Sequence, residues 1–373
     1  VAEAAYLLGA AAVRERCAQV LDAAERGRTR HFRLAPERFG AVARRIAAVT
    51  RRRFPDLRVP YHSRWRHFAA GGIDRAALVA PGEDETARAR ARFDLAIVSV
   101  LLDTGAGPAW AYREAETGLV LQRSEGLAVA SLRAMQRGLF SADPADPWRA
   151  DAAALAGLDE ARLAAALQAG PGNPLVGMSG RVALMQRLAR SGLARPGDLC
   201  EPWRVQGRVS APEILRALLA AFGLRDWGVH GAVPGDGIVP FHKLSQWLAY
   251  SLVEPLVWAG VEVTDLGGLT GLAEYRNGGL MIDGGVIVPR DPELPRRRLD
   301  PREEAVVEWR ALTVALLDRL HPLVCAELGV PAGEFPLACL LEGGSWAAGR
   351  ELAAERRPDG GPPLTVVSDG TLF

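Results

Sequence analysis

Apolar residues recur at three- and four-residue spacing through most of this chain, and strict two-residue alternation is almost absent. That spacing lines one face of a helix, so the chain is constrained toward packed helices before any motif is considered. Helical segments are expected from Ala2 to Glu25, Pro36 to Arg52, Glu83 to Leu102, Glu125 to Arg137, Leu158 to Ala169, Gly180 to Ser191, Ala211 to Phe222, Pro240 to Trp258, Pro301 to Leu328 and Trp346 to Arg356. Asp159 and Ser210 sit where N-caps belong, and Pro212 falls in a first turn. Strand signals are few and short. AWAYREAETGLVLQ reads as a hairpin turning at Glu116-Thr117-Gly118, LMIDGGVIVP as a second turning at Asp283-Gly284-Gly285, and PLTVVSDGTLF as an extended tail. No repeat period or strand–helix rhythm supports a doubly wound sheet. The expected fold class is mainly α with a few short β-hairpins.

The 373 residues leave room for two lobes of roughly 150 residues each or more. A loose division near residue 200 gives a helical lobe with a β-hairpin over 1–200. The lobe over 201–373 carries Lys243 and Glu274, or the two form one continuous domain. Forty-five basic against 44 acidic residues leave a net charge of +1. Affinity for nucleic acid comes from neutralising phosphates, so a polynucleotide partner is not expected. Four dispersed cysteines, with no CxxC pair and no histidine at zinc spacing, read as buried thiols in a reducing compartment. The opening AEAAYLLGAAAVRERC lacks a basic leader and reads as a core helix, and no apolar run approaches ~18 residues. The expectation is a soluble, cytoplasmic protein with no membrane partner, no metal and no cofactor.

Lys243 is the only lysine, and asparagine occurs only as Asn173 and Asn277. In a chain that otherwise uses arginine, a surviving lysine marks a place that needs a compact ammonium, or an exposed site where chance spared it. On a helix starting near Pro240, Lys243, Gln246, Trp247 and Tyr250 share one face, which suits a polar pocket wall or a solvated face. In YHSRWRHFAAGG, His62, Arg64, Trp65, Arg66, His67 and Phe68 crowd cationic and aromatic groups together. Such a segment can clamp a phosphate under an aromatic face, or form a turn around a buried tryptophan. In DLGGLTGLAEYRNGG, glycines surround Glu274-Tyr275-Arg276, so those three are expected to project from a tight loop. A carboxylate held there suits stabilising a developing positive charge or activating water, or simply pairs with Arg276. Asp283 reads as a turn residue and Ser124 as an N-cap. Asp103 caps a helix or enters a pocket. Glu308 and Arg310 interrupt an apolar helix and would need buried partners. Glu342, Trp346, Arg350 and Asp369 are weaker candidates. P-loop, α/β-hydrolase and zincin motifs are all missing.

Together, YHSRWRHF, VSVLLDTGAG, RSEGLAVAS, IVPFHKLSQW, LTGLAEYRNGGL, EWRALTVALLD, LEGGSWAAGR and SDGTLF resemble the uracil-catabolism protein four family along essentially the whole chain. That family belongs to a ring-opening route from uracil, through its ribonucleotide, to urea and a three-carbon acid. The resemblance implies a ribosyl- or phosphoribosyl-urea substrate. A second, fainter similarity is to the queuosine-nucleotide salvage hydrolases, which cleave an N-glycosidic bond and have a helical fold like DNA glycosylases. Their Lys-x-x-Gln helix is similar to Lys243–Gln246, their Asp-Tyr-Arg loop to Glu274-Tyr275-Arg276, and their Glu-x-Arg helix to Glu308-Trp309-Arg310. Here Glu stands where that family has Asp, which lengthens the reach of the carboxylate.

These resemblances imply N-glycosidic hydrolysis of a (5-phospho)ribosyl urea to urea and ribose (5-phosphate). Glu274 would stabilise the oxocarbenium-like centre, and Lys243 would keep Glu274 ionised or hold the ribose hydroxyls. Asp103 would be a reserve acid. Arg64, His62 and His67 would meet the phosphate, with Trp65 as a wall. Gln246, Tyr275, Arg276, Glu308 and Arg310 would complete the binding site and its support. Two other readings compete. One is a ureido C–N hydrolase, which usually shows a metal cluster or an activated Cys or Ser. The other is a non-catalytic sensor of ribosyl or nucleotide ligands.

Overall fold

A computed structural model describes residues 2–80, 82 and 84–367. Asp369 and the SDGTLF tail lie outside the described residues. Helices dominate, and strands occur as short two-stranded pairs. By contacts the chain forms two compact units. One comprises the residues up to His62, Arg225–Gln246 and Asp265–Val367; the other comprises Ser63–Leu224 and Trp247–Thr264.

In the first unit, helix Glu304–Leu328 packs on Ala10–Glu25 and Phe39–Arg53. Its apolar run is buried from Ala305 to Leu317 and it ends at Gly329, whose φ of 72° is the left-handed stop that glycine tolerates. Helix Tyr275–Asp283 packs on Trp346–Arg356 and on the long helix. The segment EYRNGG is therefore helical beyond Glu274, not the projecting loop its glycines suggest. Each helical glycine costs ~1 kcal/mol in propensity, but here the missing Cβ permits close packing. A Cβ on Gly278 would lie 2.7 Å from the Trp309 ring, and Trp309 Nε1 donates to the Gly278 carbonyl at 3.0 Å.

The second expected hairpin also differs. Leu280–Asp283 stays helical, Gly285 turns the chain at φ 76°, and Ile287–Pro289 pairs antiparallel with Phe32–Leu34. A partner far away in sequence takes this strand because Leu280–Asp283 is committed to its helix and offers no extended edge. Pro240 does not open its helix. It ends strand Ile238–Pro240, paired with Trp227–Val229, and the helix begins at Lys243.

In the second unit, helix Glu85–Leu102 starts at Asp84, whose carboxylate accepts from Ala87 N at 2.8 Å. It packs on Arg123–Gln136 and on the 3-10 turn Pro196–Cys200. The first expected hairpin is present, with Ala111–Arg113 paired to Val120–Gln122. Among the described residues, no helix is long and apolar enough to cross a membrane.

Candidate active site

Glu274 is the N-cap of helix Tyr275–Asp283, with extended φ and ψ of −120° and 162°. Its Oε2 accepts from Arg276 N at 2.6 Å and its Oε1 from Asn277 N at 2.7 Å. The carboxylate is thus fixed at the positive end of a helix, and each oxygen keeps a second lone pair. Burial pushes its carboxyl above the ordinary glutamate range, against the opposing pull of those two amides, of Lys243 and of His62. The group is therefore poised closer to neutrality than a surface glutamate.

Lys243 owes its place to a strained turn. His242 has a φ of 48°; its Nε2 donates to Leu7 O at 2.8 Å, and its Nδ1 accepts from Asp226 N at 3.1 Å. Burial pushes the imidazole below its ordinary range, which suits this neutral tautomer. The Lys243 amide meets Asp226 Oδ2 at 3.4 Å.

Arg310 ties this turn to the Glu274 loop. Its guanidinium grips Asp226 with two bonds, of 2.9 and 2.5 Å, reaches Ala273 O at 3.4 Å, and lies 4.1 Å from the centre of the Phe241 ring. Burial alone would raise the Asp226 carboxyl, but Arg310 overrides it and holds the group below the ordinary aspartate range. Gln246 makes a second tie. Its Nε2 donates to Thr270 Oγ1 at 2.6 Å and to Phe241 O at 3.2 Å, while its Oε1 accepts from Thr270 N at 3.0 Å.

The remaining first-unit candidates hold the surrounding frame. Glu308 accepts from Phe32 N at 2.8 Å and meets His230 Nε2 at 3.1 Å. Arg276 donates to Gly360 O at 2.9 Å and lies over the Tyr275 ring at 4.9 Å. His62 sets its Nδ1 2.9 Å from Glu342 Oε2. Asp283, read as structural, receives a two-pronged grip from Arg357.

Asp103, Arg64, Trp65 and His67 belong to the second unit, where Arg64 joins Asp103 and His67 in one network. Arg64 is fully buried and donates to Asp103 Oδ2 at 2.6 Å, Ser99 Oγ at 2.7 Å and Ser124 O at 3.1 Å, with His67 Nδ1 at 3.2 Å. Desolvation pushes its guanidinium down while Asp103 and Glu125 pull the other way. Ser124 donates to Asp103 at 3.0 Å; the residue ahead of its helix is Gln122, so Ser124 is not the N-cap. Trp65 is a core residue, donating to Ser251 O at 3.0 Å and meeting Trp258 edge-on at 4.8 Å.

Sequence reasoning passed over Asp226, whose partner Arg310 stands 84 residues away, so no local spacing marks it. Among the described residues, no group of three or more His, Cys, Asp or Glu side chains is arranged to hold a metal ion. The four cysteines are buried free thiols whose pKa values burial pushes up, to about 12 for Cys339.

A family model described as "Protein of unknown function (DUF1688)" matches residues 6–205 and 227–373. Protein urg3 of Schizosaccharomyces pombe is 36% identical over 395 aligned residues, covering 99% of this chain and 98% of that protein. Uracil catabolism protein 4 of Lachancea kluyveri is 34% identical over 440 aligned residues, with the same coverage of 99% and 98%.

Proposed function

Because this chain belongs to the DUF1688 family, together with Protein urg3 and Uracil catabolism protein 4, we propose that it acts in uracil catabolism as an N-ribohydrolase. Its substrate is a (5-phospho)ribosyl urea, and its products are urea and ribose (5-phosphate). The observation that carries this reading is the Glu274 carboxylate, fixed by two backbone amides while Lys243 and His62 act on it electrostatically.

Cleavage of an N-glycosidic bond passes through an oxocarbenium-like transition state, whose positive charge the neutral ground state lacks. A rigid carboxylate favours that transition state selectively, which is the condition for raising the rate. Two unit charges ~4 Å apart interact by ~4 kcal/mol at an effective dielectric near ~20, equivalent to about three decades of rate. Lys243 keeps Glu274 ionised against the burial that opposes it. The carboxylate also orients the water that attacks the anomeric carbon. Asp226, Arg310 and Gln246 keep the lysine turn and the glutamate loop in register.

The test is incubation with synthetic 5-phosphoribosyl urea and with ribosyl urea, assaying urea and reducing sugar together. Equimolar release by the wild type, reduced at least ~100-fold in Glu274→Gln, is the expected result. Ammonia without ribose 5-phosphate would point to the ureido hydrolase, and tight binding without release to the sensor.

A further inference from the structure

We propose that His62 and Glu342 form an acid dyad, with His62 protonating the departing urea nitrogen and Glu342 orienting the imidazole and stabilising its charge. The inference rests on the glycosidase reading and adds to it the proton donor that this chemistry demands. A urea anion is too basic to leave, so the ureido nitrogen must gain a proton as the C1–N bond breaks.

The geometry is that of a supported imidazole. Glu342 Oε2 lies 2.9 Å from His62 Nδ1, and both side chains are almost entirely buried. The other oxygen, Glu342 Oε1, accepts from Arg53 Nη2 at 3.1 Å. Arg53 also donates to the backbone carbonyls of Glu342 and Gly343, so the carboxylate is held from behind. The His62 backbone amide donates to Ala338 O at 3.0 Å, which fixes the other end of the residue.

Glu342 sits in a π-turn, Leu341–Ser345, a distortion that costs helix regularity and is frequent at functional sites. The turn fits only because Gly343 and Gly344 press against Thr50 and Ile46 without side chains. With Nδ1 committed to Glu342, Nε2 becomes the nitrogen that exchanges a proton with substrate. Charged groups acting around the ring include, among the described residues, Glu342, Arg53 behind it, and Glu274, on which His62 itself acts.

The His62 imidazolium and the Glu274 carboxylate then divide the work. The His62 imidazolium gives its Nε2 proton to the ureido nitrogen as the C1–N bond breaks. Water adds to C1 and gives a proton to Glu274. Loss of that proton to solvent and reprotonation of His62 restore the starting state, so the sum is the substrate plus water giving urea and the sugar. This gives His62 a different task from the phosphate contact expected from its sequence neighbourhood.

The test compares ribosyl urea with 4-nitrophenyl riboside, whose leaving group departs without a proton. His62→Gln should lose at least ~100-fold in kcat/KM on ribosyl urea and under ~10-fold on the nitrophenyl riboside, whereas Glu274→Gln should lose heavily on both. Equal losses of His62→Gln on the two substrates would overturn the acid role while leaving the glycosidase reading intact. A wild type that cleaves neither would overturn that reading, and the acid role with it.

Glu342, a positioning residue, is read by the same pair of substrates. Glu342→Gln, which keeps the shape of the side chain but not its charge, should lose kcat/KM on ribosyl urea in the same sense as His62→Gln while largely sparing the nitrophenyl riboside. Equal losses of Glu342→Gln on the two substrates would overturn the dyad.

Discussion

Lys243 is the chain's one lysine and the first residue of its helix, and its charge acts on Glu274. Burial raises the Glu274 carboxyl and Lys243 opposes that rise. On the proposed reaction, activity that needs the carboxylate form should therefore fail as pH falls through a pKa higher than an ordinary glutamate's. Lys243→Met removes the opposing charge, so the acid limb of kcat/KM should move to still higher pH; Lys243→Arg, which keeps the charge, should move it less. A limb that stays put in Lys243→Met would detach the lysine from the carboxylate. Residue identity alone singled out Lys243 and Glu274 as candidates and made the need of Glu308 and Arg310 for partners legible. It did not reveal that Asp226 serves Arg310 or that Glu342 serves His62, because those partners stand 84 and 280 residues apart.

Helical periodicity located the main helices because their buried faces repeat, as in Ala211–Phe222 and Trp346–Arg356, whose ends match expectation. It failed where tertiary packing overrides propensity. The glycines of EYRNGGL predict a loop, yet they form the helix that presents Glu274, because Trp309 occupies the space a side chain would need. Gly278→Ala should therefore be overpacked and lose ~1–3 kcal/mol of stability. Since the strain falls one turn beyond the Glu274 cap, kcat should also drop when assayed well below the melting temperature. Unchanged melting together with unchanged kcat would show that the helix is free to shift without cost. The same packing logic hid the pairing of Ile287–Pro289 with Phe32–Leu34, which no local turn signal announces.

Across the whole molecule, the arginine that replaces lysine is used as a buried connector, and Arg64, Arg75 and Arg181 are all fully buried. Arg181 spreads its donors over the carbonyls of Leu102, Gly105 and Val176, a fan that a single ammonium could not reproduce. The most enclosed of these junctions is Glu114 between Arg75 and Arg133. Its Oε1 accepts from Arg75 at 2.9 Å and from Arg133 at 2.8 and 2.6 Å, and its Oε2 from Thr117 at 2.7 Å. Burial opposes the charge, but Arg75, Thr117 and Arg133 together pull the carboxyl from 4.5 down to about 2. A depressed carboxylate contributes stability that is complete above its unfolded pKa and is lost as pH falls through the folded one. Removing one partner of such a buried cluster costs ~3–5 kcal/mol, because the remaining charges stay desolvated. Glu114→Gln should therefore be destabilised by that amount at pH 7, and its deficit against the wild type should shrink as pH falls from about 4.5 toward about 2. Urea unfolding at pH 7 and pH 3 measures the two gaps. Equal gaps at both values would mean that the network acts through packing and hydrogen-bond shape, with the glutamate charge contributing nothing to stability.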